Sequence, residues 1–144
     1  MHAVVKKSFT RARSWARRFA MQALYQWQLT HQDPHLIDAQ FLAEEDMHKA
    51  DIDYFQELLH QVPNRMEVLD ASLAPFLDRP LEQIDPVERG ILWIAVYELR
   101  CRPDIPYRVV INEAVELAKK FGAEQGHRFI NGVLDKVSRE LRDS

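Results

Sequence analysis

Apolar residues recur along this chain at intervals of three and four, the spacing that gathers them on one face of an α-helix. Between positions 13 and 30, Phe19, Ala20, Ala23, Leu24 and Trp27 keep this spacing with no Gly or Pro among them. The pattern predicts a helix that stops at the turn-like His31-Gln32-Asp33-Pro34. A shorter helix is predicted over 36–47, with Leu36, Ile37, Gln40, Phe41 and Ala43 on its inner face. The stripe is clearest from 51 to 77, through Ile52, Phe55, Leu58, Leu59, Val62, Met66, Leu69, Leu73 and Phe76. Pro63 lies within it, removes a backbone donor and crowds the preceding turn. Because the stripe keeps its phase, a kinked helix or two nearly collinear helices are expected.

Asp85-Pro86-Val87-Glu88 reads as a helix start. Asp85 can cap, Pro86 suits the first turn, and Glu88 can reach back to the cap backbone. From 87 to 99 almost every face is apolar, the signature of a helix at the centre of a bundle. Pro103 and Pro106 mark a loop. Val110, Ala114, Leu117, Ala118 and Phe121 then define another helix, stopped by Gly122. Ile130, Val133, Leu134, Val137 and Leu141 define the last, in which Gly132 predicts close approach of a neighbouring helix. The expected fold is all-α: a single-domain bundle of six to seven helices over 13–144, preceded by a flexible basic arm over 1–12.

Composition narrows the class. With 144 residues, 47% hydrophobic and 28% charged, the chain can hold a core without disulfides or metals. Only 4 Gly and 7 Pro are present, too few for the many tight turns of a β-sandwich. The single cysteine, Cys101, excludes an intramolecular disulfide framework. No apolar stretch follows Lys6 and Lys7 as a secretory leader would require, and the apolar run Gly90 to Tyr97 is too short to span a bilayer. A cytoplasmic protein with no membrane association is expected.

Charge adds an asymmetry. Lys6, Lys7, Arg11, Arg13, Arg17 and Arg18 precede the first acidic residue, Asp33; the rest of the chain has 13 basic and 22 acidic residues. A basic arm on an acidic body suits a polyanion. Single-stranded RNA is held by cations on its phosphates and aromatic faces under its bases. Lys6, Lys7, Arg11, Arg13 and Arg17 supply one basic element, with Arg13 and Arg17 one helical turn apart. Lys119, Phe121, Arg128 and Phe129, with Lys120, supply a second, around the start of the last helix, where backbone donors also favour phosphate. Phe129 lies off the apolar stripe, whereas Phe121 ends one; Trp27 is expected in the core and Tyr25 is left open.

The residues offer no enzyme chemistry. The chain has no glycine-rich phosphate loop and no Ser or Cys nucleophile motif. His31 and His35 are four apart, but Pro34 spoils the helical geometry a metal pair would need. No catalytic residue, metal or cofactor is expected.

Three segments carry a resemblance. They are Ala20-Met21-Gln22-Ala23-Leu24-Tyr25-Gln26-Trp27; Ile105-Pro106-Tyr107 followed by Ile111-Asn112-Glu113-Ala114-Val115-Glu116-Leu117-Ala118-Lys119; and Arg128-Phe129-Ile130-Asn131-Gly132-Val133-Leu134-Asp135. Together they resemble the NusB family of bacterial transcription antitermination factors, from about Arg13 to the end. The resemblance implies an all-helical bundle that pairs with the ribosomal protein NusE, binds boxA, a short single-stranded RNA element, and supports transcription of ribosomal RNA operons by RNA polymerase. It points to Tyr25, Glu82 and Glu88 for NusE contact. Gln125 and Gly126 stand where the family pattern has an acidic and a cap-forming residue. A neutral Gln125 removes a charge that would repel RNA, and Gly126 is expected to loosen the helix start. An alternative is a protein-interaction module of ribosome biogenesis in which RNA binding is secondary.

Overall fold

The computed structural model describes residues 2–142, and for residues 2–9 the backbone alone. The described residues form seven α-helices and two short 3₁₀ turns, with no strand. The chain divides into two compact units, Met1–Pro63 and Asn64–Ser144.

The first unit holds α1 (His2–Thr30), α2 (Pro34–Glu44) and most of α3 (Ile52–Asn64). Helix α1 begins well before position 13, so helical backbone runs through the segment set apart as an arm. It ends at His31, whose φ of 58° lets its N–H reach the Trp27 carbonyl at 2.8 Å. Asp33 then caps α2 by accepting from the His35 N–H at 2.9 Å, with Pro34 in the first turn. Phe19, Ala20, Ala23, Leu24, Ile37, Phe41, Phe55, Leu58, Leu59 and Val62 are buried, as the stripes predict. Phe41 and Phe55 stack with ring centres 5.7 Å apart. Trp27, expected in the core, is only half-buried. Asp51 caps α3 through the Tyr54 N–H, and its own N–H donates to the Ala12 carbonyl at 2.9 Å, tying α3 to α1.

Pro63 sits in the last turn of α3, and the helix breaks at Arg65 (φ −113°, ψ 19°).

The second unit holds α4 (Met66–Leu73), the 3₁₀ turns Ala74–Phe76 and Leu81–Gln83, α5 (Pro86–Cys101), α6 (Tyr107–Phe121) and α7 (Gly126–Arg142). Helix α5 is central: every residue from Gly90 to Leu99 is buried, and it touches α4, α6 and α7. Asp85 caps it as expected, accepting from the Val87 N–H at 2.8 Å. The Trp93 indole donates to Asp70 at 2.8 Å, clipping α4 to α5. At the other end of α5, Arg142 donates to the carbonyls of Leu99, Ile105, Glu98 and Arg102 at 2.8–3.1 Å. Of these, the Leu99 carbonyl lies in the last turn of α5, whereas the Glu98 and Arg102 carbonyls also accept the Arg102 and Ile105 N–H groups, so the cation ties the helix end to the loop that follows it. Gly132 corrects one expectation: a Cβ there would meet nothing within 4 Å, so no helix presses on it.

Candidate nucleic-acid interface

In the first unit, α1 carries the basic element. The side chains of Lys6 and Lys7 lie outside the described residues. Arg11 is exposed. Arg13 and Arg17 share a face, but it points inward. Their guanidiniums lie over the Tyr54 ring, 4.7 and 5.6 Å from its centre. Arg17 is only 3% exposed, so it is not a surface cation here. Arg13 also lies 4.0 Å from Asp51. The arginine spacing identifies a shared face but not its direction; Tyr54, distant in sequence, turns it inward. Trp15 belongs to no pattern in the sequence that marks it as functional. It is half-buried, with Arg18 4.8 Å and Lys49 5.5 Å from its ring centre. Nothing local to Trp15 signals Lys49, which arrives through the tertiary fold.

In the second unit, the α6–α7 turn carries the other element. Gly122 closes α6 by donating to the Ala118 carbonyl at 2.8 Å. Gln125 is exposed with φ 69°, a left-handed conformation unusual outside glycine. Its carbonyl accepts from the Arg128 N–H at 3.1 Å, and Gly126 N–H donates to the Ala123 carbonyl at 2.9 Å. Lys119, Lys120 and Arg128 are exposed, with Lys119 3.7 Å from Glu116. Phe121 and Phe129 are half-buried. The guanidinium of Arg79 lies 4.9 Å from the Phe129 ring centre. Arg79 also donates to Asp78 at 2.8 Å, and this pairing, more than any other influence, raises its pKa further. The loop position of Arg79 carries no pattern that would have linked it to Phe129.

Glu88 is the main correction. Expected as a surface contact and a closer of the helix start, it is 6% exposed. Its carboxylate turns instead to the α6–α7 turn, where Oε2 accepts from the Ala123 N–H at 3.2 Å. Gly126, expected to loosen that turn, is buried against the same carboxylate: a Cβ there would lie 2.3 Å from Oε2. Glu82 is exposed in its 3₁₀ turn, and Tyr25, in the first unit, is 40% exposed.

The chemistry available is cationic, aromatic and non-covalent. Among the described residues no group of three or more His, Cys, Asp or Glu is arranged to hold a metal ion. Among them, too, no helix is long and apolar enough to cross a membrane.

Residues 14–139 match the NusB family model. The chain is 58% identical to the transcription antitermination protein NusB of Nitrosococcus oceani, over 90% of this chain and 87% of that protein. It is 55% identical to the NusB of Idiomarina loihiensis, over 91% and 94%. Among solved structures, T. maritima NusB superposes with a TM-score of 0.77 at 26% identity, covering 88% of this chain and 90% of that one. A crystal structure of the antitermination factors NusB and NusE in complex with double-stranded RNA gives a TM-score of 0.80 at 27% identity, covering 90% and 98%.

Proposed function

This chain belongs to the NusB family, and from that premise we propose how it acts as a transcription antitermination factor: it binds boxA-like single-stranded RNA together with the ribosomal protein NusE. In this reading the pair joins the transcribing RNA polymerase and supports processive transcription of ribosomal RNA operons. The observation that carries the RNA assignment is the α6–α7 turn, where half-exposed Phe129 stands beside exposed Arg128. An aromatic face next to cations suits an unpaired base and its phosphate, which a duplex would keep stacked away. A NusB relative has been crystallised with NusE and double-stranded RNA, which supports NusE and RNA, though not the single strand, as partners here. Exposed Arg11 on α1 adds a second cationic element. Glu82, exposed ahead of the α5 start, and Tyr25 on α1 are assigned to NusE, a basic partner. Glu88 is left out of that surface because it is buried.

The test is a titration of the full chain with a short boxA RNA, with and without purified NusE, at several salt concentrations. The same RNA annealed into a duplex serves as comparison. Binding of the single strand that tightens with NusE and weakens with salt is the expected result. Equal binding of the duplex would remove base stacking from the reading. Tight NusE binding with no RNA binding would favour the interaction-module alternative.

A further inference from the structure

We infer that Glu88 is a positioning residue for RNA binding, which acts from inside the second unit by holding the α6–α7 turn in its binding shape. The inference rests on the reading of that turn as an RNA surface. Three observations meet at one carboxylate. Glu88 is buried in the first turn of α5, whose positive end itself favours an acid there. Its Oε2 accepts the Ala123 N–H at 3.2 Å, in the middle of the turn. Both glycines of the turn lie against it: Cβ atoms built at Gly122 and Gly126 would stand 3.3 and 2.3 Å from Oε2. The carboxylate therefore fills space that a side chain at position 126 would take.

Burying a carboxylate is costly unless its charge is met. Here it is met by the Ala123 N–H and by the positive end of α7, which starts at Gly126. The same charge attracts the Arg79 guanidinium, weakly beside the pairing of Arg79 with Asp78. Arg79 in turn lies over Phe129. Glu88 thus touches the backbone of the turn that leads into the first turn of α7, where Phe129 lies. Gln125, held at φ 69°, is the part of the turn with most to gain from release.

Three variants of the full chain separate charge, shape and position. Glu88→Gln keeps the shape and removes the charge. Glu88→Ala removes both. Gly126→Ala keeps the charge but displaces the carboxylate, and since Ala favours helix over Gly it does not weaken α7 by propensity. Each is titrated with the boxA RNA and separately with NusE, and amide exchange is followed at Ala123. The expected result is a loss of RNA affinity of about two- to thirtyfold in Glu88→Ala and Gly126→Ala, the range found for residues that act through a network. Glu88→Gln should fall between these and the wild type. NusE binding should be unchanged and Ala123 exchange faster in both. The RNA loss from Glu88→Ala should disappear in a Phe129→Ala background, which a general loss of stability would not produce. If Glu88→Ala does not fold, Gly126→Ala carries the test. Wild-type RNA affinity with unchanged Ala123 exchange in Gly126→Ala would overturn the inference. A wild-type chain that binds no RNA would instead overturn the reading of the turn, while Ala123 exchange still reports whether Glu88 holds it.

Discussion

The guanidinium of Arg79 lies over the ring of Phe129, 4.9 Å from its centre, while its Nε donates to Asp78. One face of a half-exposed aromatic is thus already covered by a cation. This arrangement places a charge beside the ring that the proposed function assigns to a base.

Phe129→Ala should weaken boxA RNA binding by about 1–3 kcal/mol, the value of one base on one aromatic. The melting temperature should stay close to wild type, because Phe129 lies off the buried stripe of Ile130, Val133, Leu134 and Val137. An unfolded variant would make Phe129 a core residue and remove it from the site.

Arg11 and Arg17 should separate binding from stability. Arg11 is exposed, so Arg11→Ala should flatten the salt dependence of RNA binding by about 0.7 if it holds one phosphate. Arg17 is buried over Tyr54. Arg17→Ala should cost about 2 kcal/mol of stability, the scale of a desolvated cation–π contact, with the salt slope unchanged in the folded fraction. A reduced slope in Arg17→Ala would show that the side chain turns outward to meet RNA.

Glu82→Lys should impair NusE binding, since it sets like charges against a basic partner, a cost of up to several kcal/mol. RNA binding by the chain alone should stay equal or rise slightly as one acidic charge becomes basic. Because Glu82 is exposed and Glu88 is not, the single substitution tests the surface without disturbing the α6–α7 turn. Normal NusE affinity in a folded Glu82→Lys variant would move the interface elsewhere, with Tyr25 the next residue to test.

Asp70 provides a pH prediction. Burial raises its pKa, opposed by the hydrogen bond from Trp93 and, less, by Arg89. A carboxyl with a raised folded-state pKa binds its proton more tightly folded than unfolded. Its effect on stability therefore turns unfavourable as pH rises from the ordinary carboxylate value through the raised one, and stays so at neutral pH. Asp70→Asn keeps an oxygen for the Trp93 N–H and removes the charge. It should raise stability at pH 7 by under about 1 kcal/mol, because the carboxyl is only partly buried, and raise the melting temperature accordingly. The gain should vanish when both forms are titrated at low pH. A variant less stable than wild type at pH 7 would show that the charge itself strengthens the Trp93 contact.

Much of this protein is legible from local pattern. The helices follow from apolar spacing, and the α2 and α5 starts from Asp33-Pro34 and Asp85-Pro86, because capping and periodicity act within a few residues. The inner face of α3 and the burial of α5 also follow, since a wide apolar surface has nowhere else to go. The family was legible too, because its signature lies in contiguous segments. What only the tertiary structure decided is where charged and glycine residues point. Arg17 has the same charge and spacing on paper as a surface cation, and Tyr54 draws it inward. Glu88 reads as a helix-start acid until the α6–α7 turn arrives beside it. Gly126 looks like a weak helix start until its missing Cβ proves to be the space that carboxylate fills, and Gly132 looks like a packing glycine yet faces nothing. Apolar residues announce their direction through the hydrophobic effect, which is local in pattern; a charge or an absent side chain takes its meaning from whatever atom the fold brings opposite it.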